Sequence, residues 1–101
     1  MKKKISNKKN VLIYGAGEAG RQLINSLKTN SKYEVVGIID DNIKLINKVL
    51  LGIRIHSSSN LKKTALIKNV KLVFLAIPSI GRIRRNQIIK KLSKFKLIVK
   101  S

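Results

Sequence analysis

The chain has 101 residues, 23 of them Lys or Arg against 4 Asp or Glu, for a formal net charge of +19. That length suits one domain and leaves no room for a cofactor domain plus a separate substrate domain. With 44% hydrophobic residues, no cysteine and a single histidine, the composition excludes a disordered polybasic tail, a disulfide framework, thiolate catalysis and a conventional transition-metal site.

Residues 1–9 (MKKKISNKK) read as an exposed basic tail. They carry the charge of an export signal, but the apolar run after them is far too short. No segment approaches the roughly 20 apolar residues of a membrane-spanning helix. From residue 10 the chain alternates strand and helix patterns without a linker or repeat. Val11 to Tyr14 is a continuous apolar run, as in a strand buried on both faces. Residues 18–29 follow as a helix, with Leu23, Ile24 and Leu27 on one face. Tyr33 to Ile39 is a β-branched second strand stopped by Asp40-Asp41-Asn42. Residues 43–52 fit either a short helix or a packed loop, and 52–55 a third strand. Ser57-Ser58-Ser59 supplies an N-cap for a helix over 60–69. Residues 71–77 form the fourth strand, closed by Pro78. A helix over 82–93, carrying Ile83, Ile88, Ile89 and Leu92, precedes a fifth strand at 96–100. The expectation is a Rossmann-like α/β domain over residues 10–101, its five-stranded parallel sheet covered by helices on both faces.

Gly15-Ala16-Gly17-Glu18-Ala19-Gly20 is a G-x-G-x-x-G loop that leaves a predicted strand and opens a predicted helix. In that context Gly15 permits the tight turn, Gly17 the approach of a pyrophosphate, and Gly20 close helix–strand packing. Unpaired amides and the helix dipole then favour the anion. Asp40 stands 20 positions after Gly20, where a carboxylate accepts bonds from both ribose hydroxyls. It would repel a 2′-phosphate by roughly 4 kcal/mol at 4 Å and an effective dielectric of 20, which favours NAD over NADP. A domain of this shape with a different nucleotide is the competing interpretation. Asp41 joins the candidate site, although a turn cap explains it better than ribose contact. Glu18 suits the dipole but crowds a phosphate. Ser79 reaches the cofactor end of the fold, or caps the next helix. Arg82, Arg84 and Arg85 meet either an anion or solvent, and His56 reads as a loop residue. No Tyr-x-x-x-Lys pair, nucleophile set or paired catalytic carboxylates stand out, so turnover by this chain alone is not expected.

Three phrases, Val11–Leu23 (VLIYGAGEAGRQL), Val35–Asn42 (VVGIIDDN) and Val73–Ser79 (VFLAIPS), followed by Arg84-Arg85, resemble one known domain. It is the Rossmann-like domain preceding the catalytic domain of CapD-type polysaccharide biosynthesis proteins, relatives of nucleoside-diphosphate-sugar 4,6-dehydratases and epimerases in bacteria. The resemblance spans nearly the whole chain. It implies a nucleotide or dinucleotide ligand at Gly15, Gly17, Gly20, Asp40 and Ser79. It also implies a separate catalytic, sugar-modifying domain as partner, and a cytoplasmic location at or near the inner membrane. An anionic membrane surface is a further expected partner for the basic tail, whereas nucleic acid is not, because the four aromatics read as core. Two other classes stay open: a nucleotide-sensing regulatory module of a transporter or membrane assembly, and a binder of anionic surfaces through charge alone.

Overall fold

A computed structural model describes residues 7–30 and 32–101. The predicted tail over residues 1–9 therefore lies largely outside the described residues. Six strands form one sheet in the order β3-β4-β2-β1-β5-β6, with β1 at Lys9–Tyr14, β2 at Tyr33–Ile39, β3 at Val49–Leu50, β4 at Ile53–His56, β5 at Leu72–Leu75 and β6 at Ile98–Lys100. All neighbouring pairs are parallel except β3 with β4. Helix α1 (Glu18–Lys28) connects β1 to β2, α2 (Leu61–Ile67) crosses from β4 to β5, and α3 (Arg82–Lys94) joins β5 to β6. The chain thus builds outward from β1 on one side, then returns to build on the other. β1 is the switch point of the sheet, beside which ligands of such folds bind.

The pleat of β1 sorts the core into two halves. Ile13 points to one face, where Ile24 and Leu27 of α1 pack with Ile38 and Ile55. Leu12 and Tyr14 point to the other, against Leu61 and Ala65 of α2, Ile88 and Leu92 of α3, and Val73 and Leu75. Val11, Leu12 and Ile13 are fully buried, as a central strand covered on both faces requires.

The sheet has six strands where the periodicity predicts five, and the extra one lies in the ambiguous stretch 43–52. Residues 43–47 are turns, and Val49–Leu50 pairs with Ile53–Arg54 through a two-residue loop. Both loop residues, Leu51 (φ 52°) and Gly52 (φ 81°), are left-handed, as in a type I′ hairpin turn. Leucine is an unusual first residue for that turn, which is why the hairpin leaves no clear sequence signal. Helix α2 is shorter than predicted because Asn69 turns left-handed (φ 54°), and Val70 N–H then donates to Ala65 at 2.8 Å. Lys96 (φ 60°) likewise delays β6 to Ile98. Ile83, predicted on the apolar face of α3, is 77% exposed; Ile88 and Leu92 are the buried positions.

Candidate functional site

The four central strands end in register. Tyr14 lies beside Ile39 and Leu75, and Ile39 beside His56. Bonds from Gly15 N–H to Ile39 (2.8 Å), Ala76 N–H to Tyr14 (2.9 Å) and Asp40 N–H to His56 (2.9 Å) carry that alignment one residue past the strands. Gly15, Asp40, Ser57 and Ala76 consequently emerge side by side. Above them opens a cleft of about 510 Å³, lined by Tyr14, Gly15, Gly17, Glu18, Ala19, Asp40, Asp41, Ser79 and Arg84 among others. Of the predicted cofactor-site residues Gly20 is absent from the lining, because it is buried beneath the loop, and of the three candidate arginines Arg82 and Arg85 are absent as well.

The three glycines occupy different environments. Gly15 has φ +125°, and a Cβ there would stand 2.4 Å from the Ala76 carbonyl oxygen. A Cβ on Gly20 would lie 1.9 Å from the Gly15 oxygen. These two positions let the loop lie flat between β5 and α1. A Cβ on Gly17 would meet nothing within 4 Å. Gly17 is also the N-cap of α1 and no side chain caps the helix there, so its first turn opens to the cleft.

Asp40 has a structural duty that its position in the sequence does not reveal. Its Oδ2 accepts from Ala16 N–H at 2.9 Å and its Oδ1 from Asn42 N–H at 2.9 Å, tying the glycine loop to the end of β2. Each carboxylate oxygen retains a second lone pair for a hydroxyl donor. Asp41 turns the other way. Its carboxylate accepts from Ser58 N–H (2.8 Å), Ser58 Oγ (2.7 Å) and Ser57 Oγ (3.3 Å), while also lining the cleft. Burial works to raise the Asp41 pKa, but the bonds from Ser58 and Ser57 and the Arg84 charge outweigh it and hold the group below its ordinary value. Burial pushes the Tyr14 phenol above its ordinary value; Ser58 partly offsets this and Asp41 adds to it.

Ser57 accepts from Ser59 N–H at 3.2 Å and caps a 3-10 turn at Ser58–Asn60, not the helix that the serine run is expected to cap; α2 begins after that turn, with Asn60 at its N-cap and no side-chain bond there. Ser79 lines the cleft but is not the cap of α3, a position that Gly81 takes. Arg84, in the first turn of α3, is brought to the cleft, whereas the sequence by default leaves it on a solvated face. The buried Tyr14 ring, read as core, also reaches the cleft. A polar residue at a strand's last position is the one signal that marks it in the sequence.

His56 is the last residue of β4, not a loop residue, and among the described residues its Nε2 is buried without a hydrogen-bond partner. Burial, with Arg54 and Lys68 nearby, lowers its pKa below the ordinary 6.5. The folded state holds the imidazole neutral, while the unfolded chain takes up a proton near that value. Stability is therefore complete above pH 6.5 and declines as the pH falls through the depressed folded pKa. In urea melts the midpoint of the wild type is expected to fall between about pH 7 and pH 5, and His56→Gln to flatten that slope. An unchanged slope in the variant would remove His56 from this role. Asp41 acts in a separate, more acidic window, below its ordinary 3.8.

A family model described as C2185-like, N-terminal, matches residues 7–66. The crystal structure of UDP-D-quinovosamine 4-dehydrogenase from Vibrio fischeri matches with a TM-score of 0.87 and 36% identity, over 91% of this chain and 75% of that one. RSP, a Rex-family repressor, matches with a TM-score of 0.73 at 16% identity, over 93% of this chain and 52% of that one. RSP in complex with β-NADH matches with a TM-score of 0.70, also at 16% identity, over 92% of this chain and 52% of that one. At that identity the repressor shares the fold alone. No curated protein sequence matches the chain.

Proposed function

The chain belongs to the C2185-like N-terminal family, a Rossmann-like domain related to a nucleoside-diphosphate-sugar enzyme, and from that premise we propose that it binds NAD(H) without turning over substrate by itself. One observation carries the proposal: the Asp40 carboxylate bonds to the loop amide of Ala16 immediately before an uncapped helix start at Gly17. A ribose acceptor and a pyrophosphate cradle are thereby held as one unit at the switch point of the sheet.

The residues fit the cofactor. Gly17 and the first amides of α1 would face the diphosphate, with no Cβ in the way. Asp40 would accept the ribose hydroxyls through its free lone pairs, and its charge opposes a 2′-phosphate. Arg84 would lie over the ligand from α3, where a planar cation suits a nucleobase or a phosphate. Bound NAD(H) supplies hydride chemistry, and a separate catalytic domain acting on a sugar nucleotide, as in CapD-type proteins, would use it or be governed by it.

Isothermal titration with NAD, NADP, coenzyme A and a UDP-sugar tests the proposal. NAD is expected to bind most tightly, and Asp40→Asn to weaken it about tenfold with the fold retained and a melting temperature lower by a few degrees, since the single amide oxygen can accept from Ala16 or from Asn42 but not from both. No heat and no thermal shift with NAD at about millimolar concentration would end the cofactor assignment.

A further inference from the structure

The acids of this molecule are segregated along the strands, whereas its basic residues stand at both ends, Arg84 in the cleft among them. Three of the four acids, Glu18, Asp40 and Asp41, sit at the cleft end. At the opposite end, where the parallel strands begin, exposed lysines adjoin one another. Lys9 N–H donates to the Lys32 carbonyl (2.8 Å), Asn10 Nδ2 to the Lys68 carbonyl (2.8 Å), and Ile98 N–H to the Lys71 carbonyl (2.8 Å). Lys8 and Lys96 extend the row, and the one acid among these six lysines is Glu34, 3.8 Å from Lys8. The topology dictates this grouping, because parallel strands place all their starts, and the ends of their connecting helices, on one side.

Large aliphatic side chains stand among those lysines. Leu66 and Ile67, in the last turn of α2 immediately before Lys68, are 81% and 70% exposed. Ile98, bonded through its backbone to Lys71, is 62% exposed. The aromatic rings nearby are engaged within the fold: Tyr33, half-buried at the edge of this end, packs edge-on against Phe74 with centroids 5.4 Å apart, and Phe95 lies half-buried under Lys62. A nucleic-acid face offers stacking rings with its cations. Cations interspersed with protruding aliphatics are instead the chemistry of a surface that rests on anionic lipid: the lysines meet headgroups and the aliphatics enter the acyl boundary.

We infer that the strand-start end of the sheet is a docking face for an anionic lipid bilayer, orienting the cleft away from the membrane. The inference is independent of what the cleft binds.

Flotation of the full chain with phosphatidylcholine vesicles, with and without about 30% phosphatidylglycerol, tests it. The wild type is expected to float only with the anionic vesicles. Reversing Lys9, Lys68 and Lys71 together to Glu should weaken binding about a hundredfold, and reversing Lys44, Lys48 and Lys90, elsewhere on the surface, less than about tenfold. The triple Leu66→Ser, Ile67→Ser, Ile98→Ser should lose the fraction of binding that survives about 0.5 M salt. Residues 1–8 are kept in every variant, so their charges cancel from the comparison. Should the Glu triple fail to fold by circular dichroism, Lys→Gln at the same positions reads the same effect. Equal losses in the two charge-reversal triples would overturn the inference, since net charge alone would then explain binding. It would also fall if no anionic vesicle bound, or if the same lysines supported a DNA or RNA duplex and not lipid.

Discussion

Gly20→Ala is expected to destabilise the domain by about 3 kcal/mol or more and lower its melting midpoint by more than about 10 °C, although it adds a single methyl group. Alanine is ordinarily the better helix residue by about 1 kcal/mol, so intrinsic propensity predicts the opposite sign. The added Cβ would lie 1.9 Å from the Gly15 carbonyl oxygen and 2.9 Å from its carbon. Neither atom belongs to a flexible side chain. The Gly15 backbone is pinned by its bond to Ile39 and by the Asp40 carboxylate on the next amide, and a side chain on Gly15 itself would strike Ala76. Relief requires α1 to move off β1, which opens the packing of Ile24 and Leu27 on Ile13. Thermal unfolding followed by circular dichroism measures the effect. A midpoint within about 3 °C of wild type would show that the helix and loop separate at little cost.

Gly17→Val should do the reverse, keeping the fold and abolishing the ligand. Gly17 has φ −82° and ψ −160°, an extended conformation open to any residue, and its Cβ position meets nothing within 4 Å. The expected stability change is within about 1 kcal/mol, the ordinary range for a poor N-cap. The valine methyls would instead occupy the space in which a diphosphate reaches the first amides of α1. Loss of those charge-assisted bonds should weaken NAD binding about a hundredfold or more. Calorimetric titration and a melt of the same sample separate the two outcomes. A variant that binds NAD within about threefold of wild type would place the ligand elsewhere in the cleft.

The two glycines lie three positions apart in one motif, and their opposed expectations mark how far local pattern goes. The strand-loop-helix order, the β-branched run of β2 and the acid at its end are short-range features, so the Rossmann-like class and the place of the cleft are legible from residues alone. The hairpin at Leu51-Gly52 is not, because its left-handed leucine is held by pairing between β3 and β4 and not by intrinsic preference. The same holds at Asn69 and Lys96, where left-handed residues end α2 and α3 and trim the elements that follow.

Asp40 and Asp41 are neighbours that the chain alone separates only by spacing, which marks the first as the ribose acid and the second as a turn cap. Tertiary contact separates them, since one carboxylate is presented with the Ala16 amide at the glycine loop and the other is engaged by Ser57 and Ser58. Arg84 and Tyr14 reach the cleft because α3 crosses the sheet where it does, a long-range matter. Charge shows the division most plainly. Composition by itself determined that the protein is strongly basic, a sum over residues that no fold can alter. Only the parallel sheet decided where the charge stands, because bringing the strand starts to one side collects lysines from distant segments there, and leaves three of the four acids at the cleft.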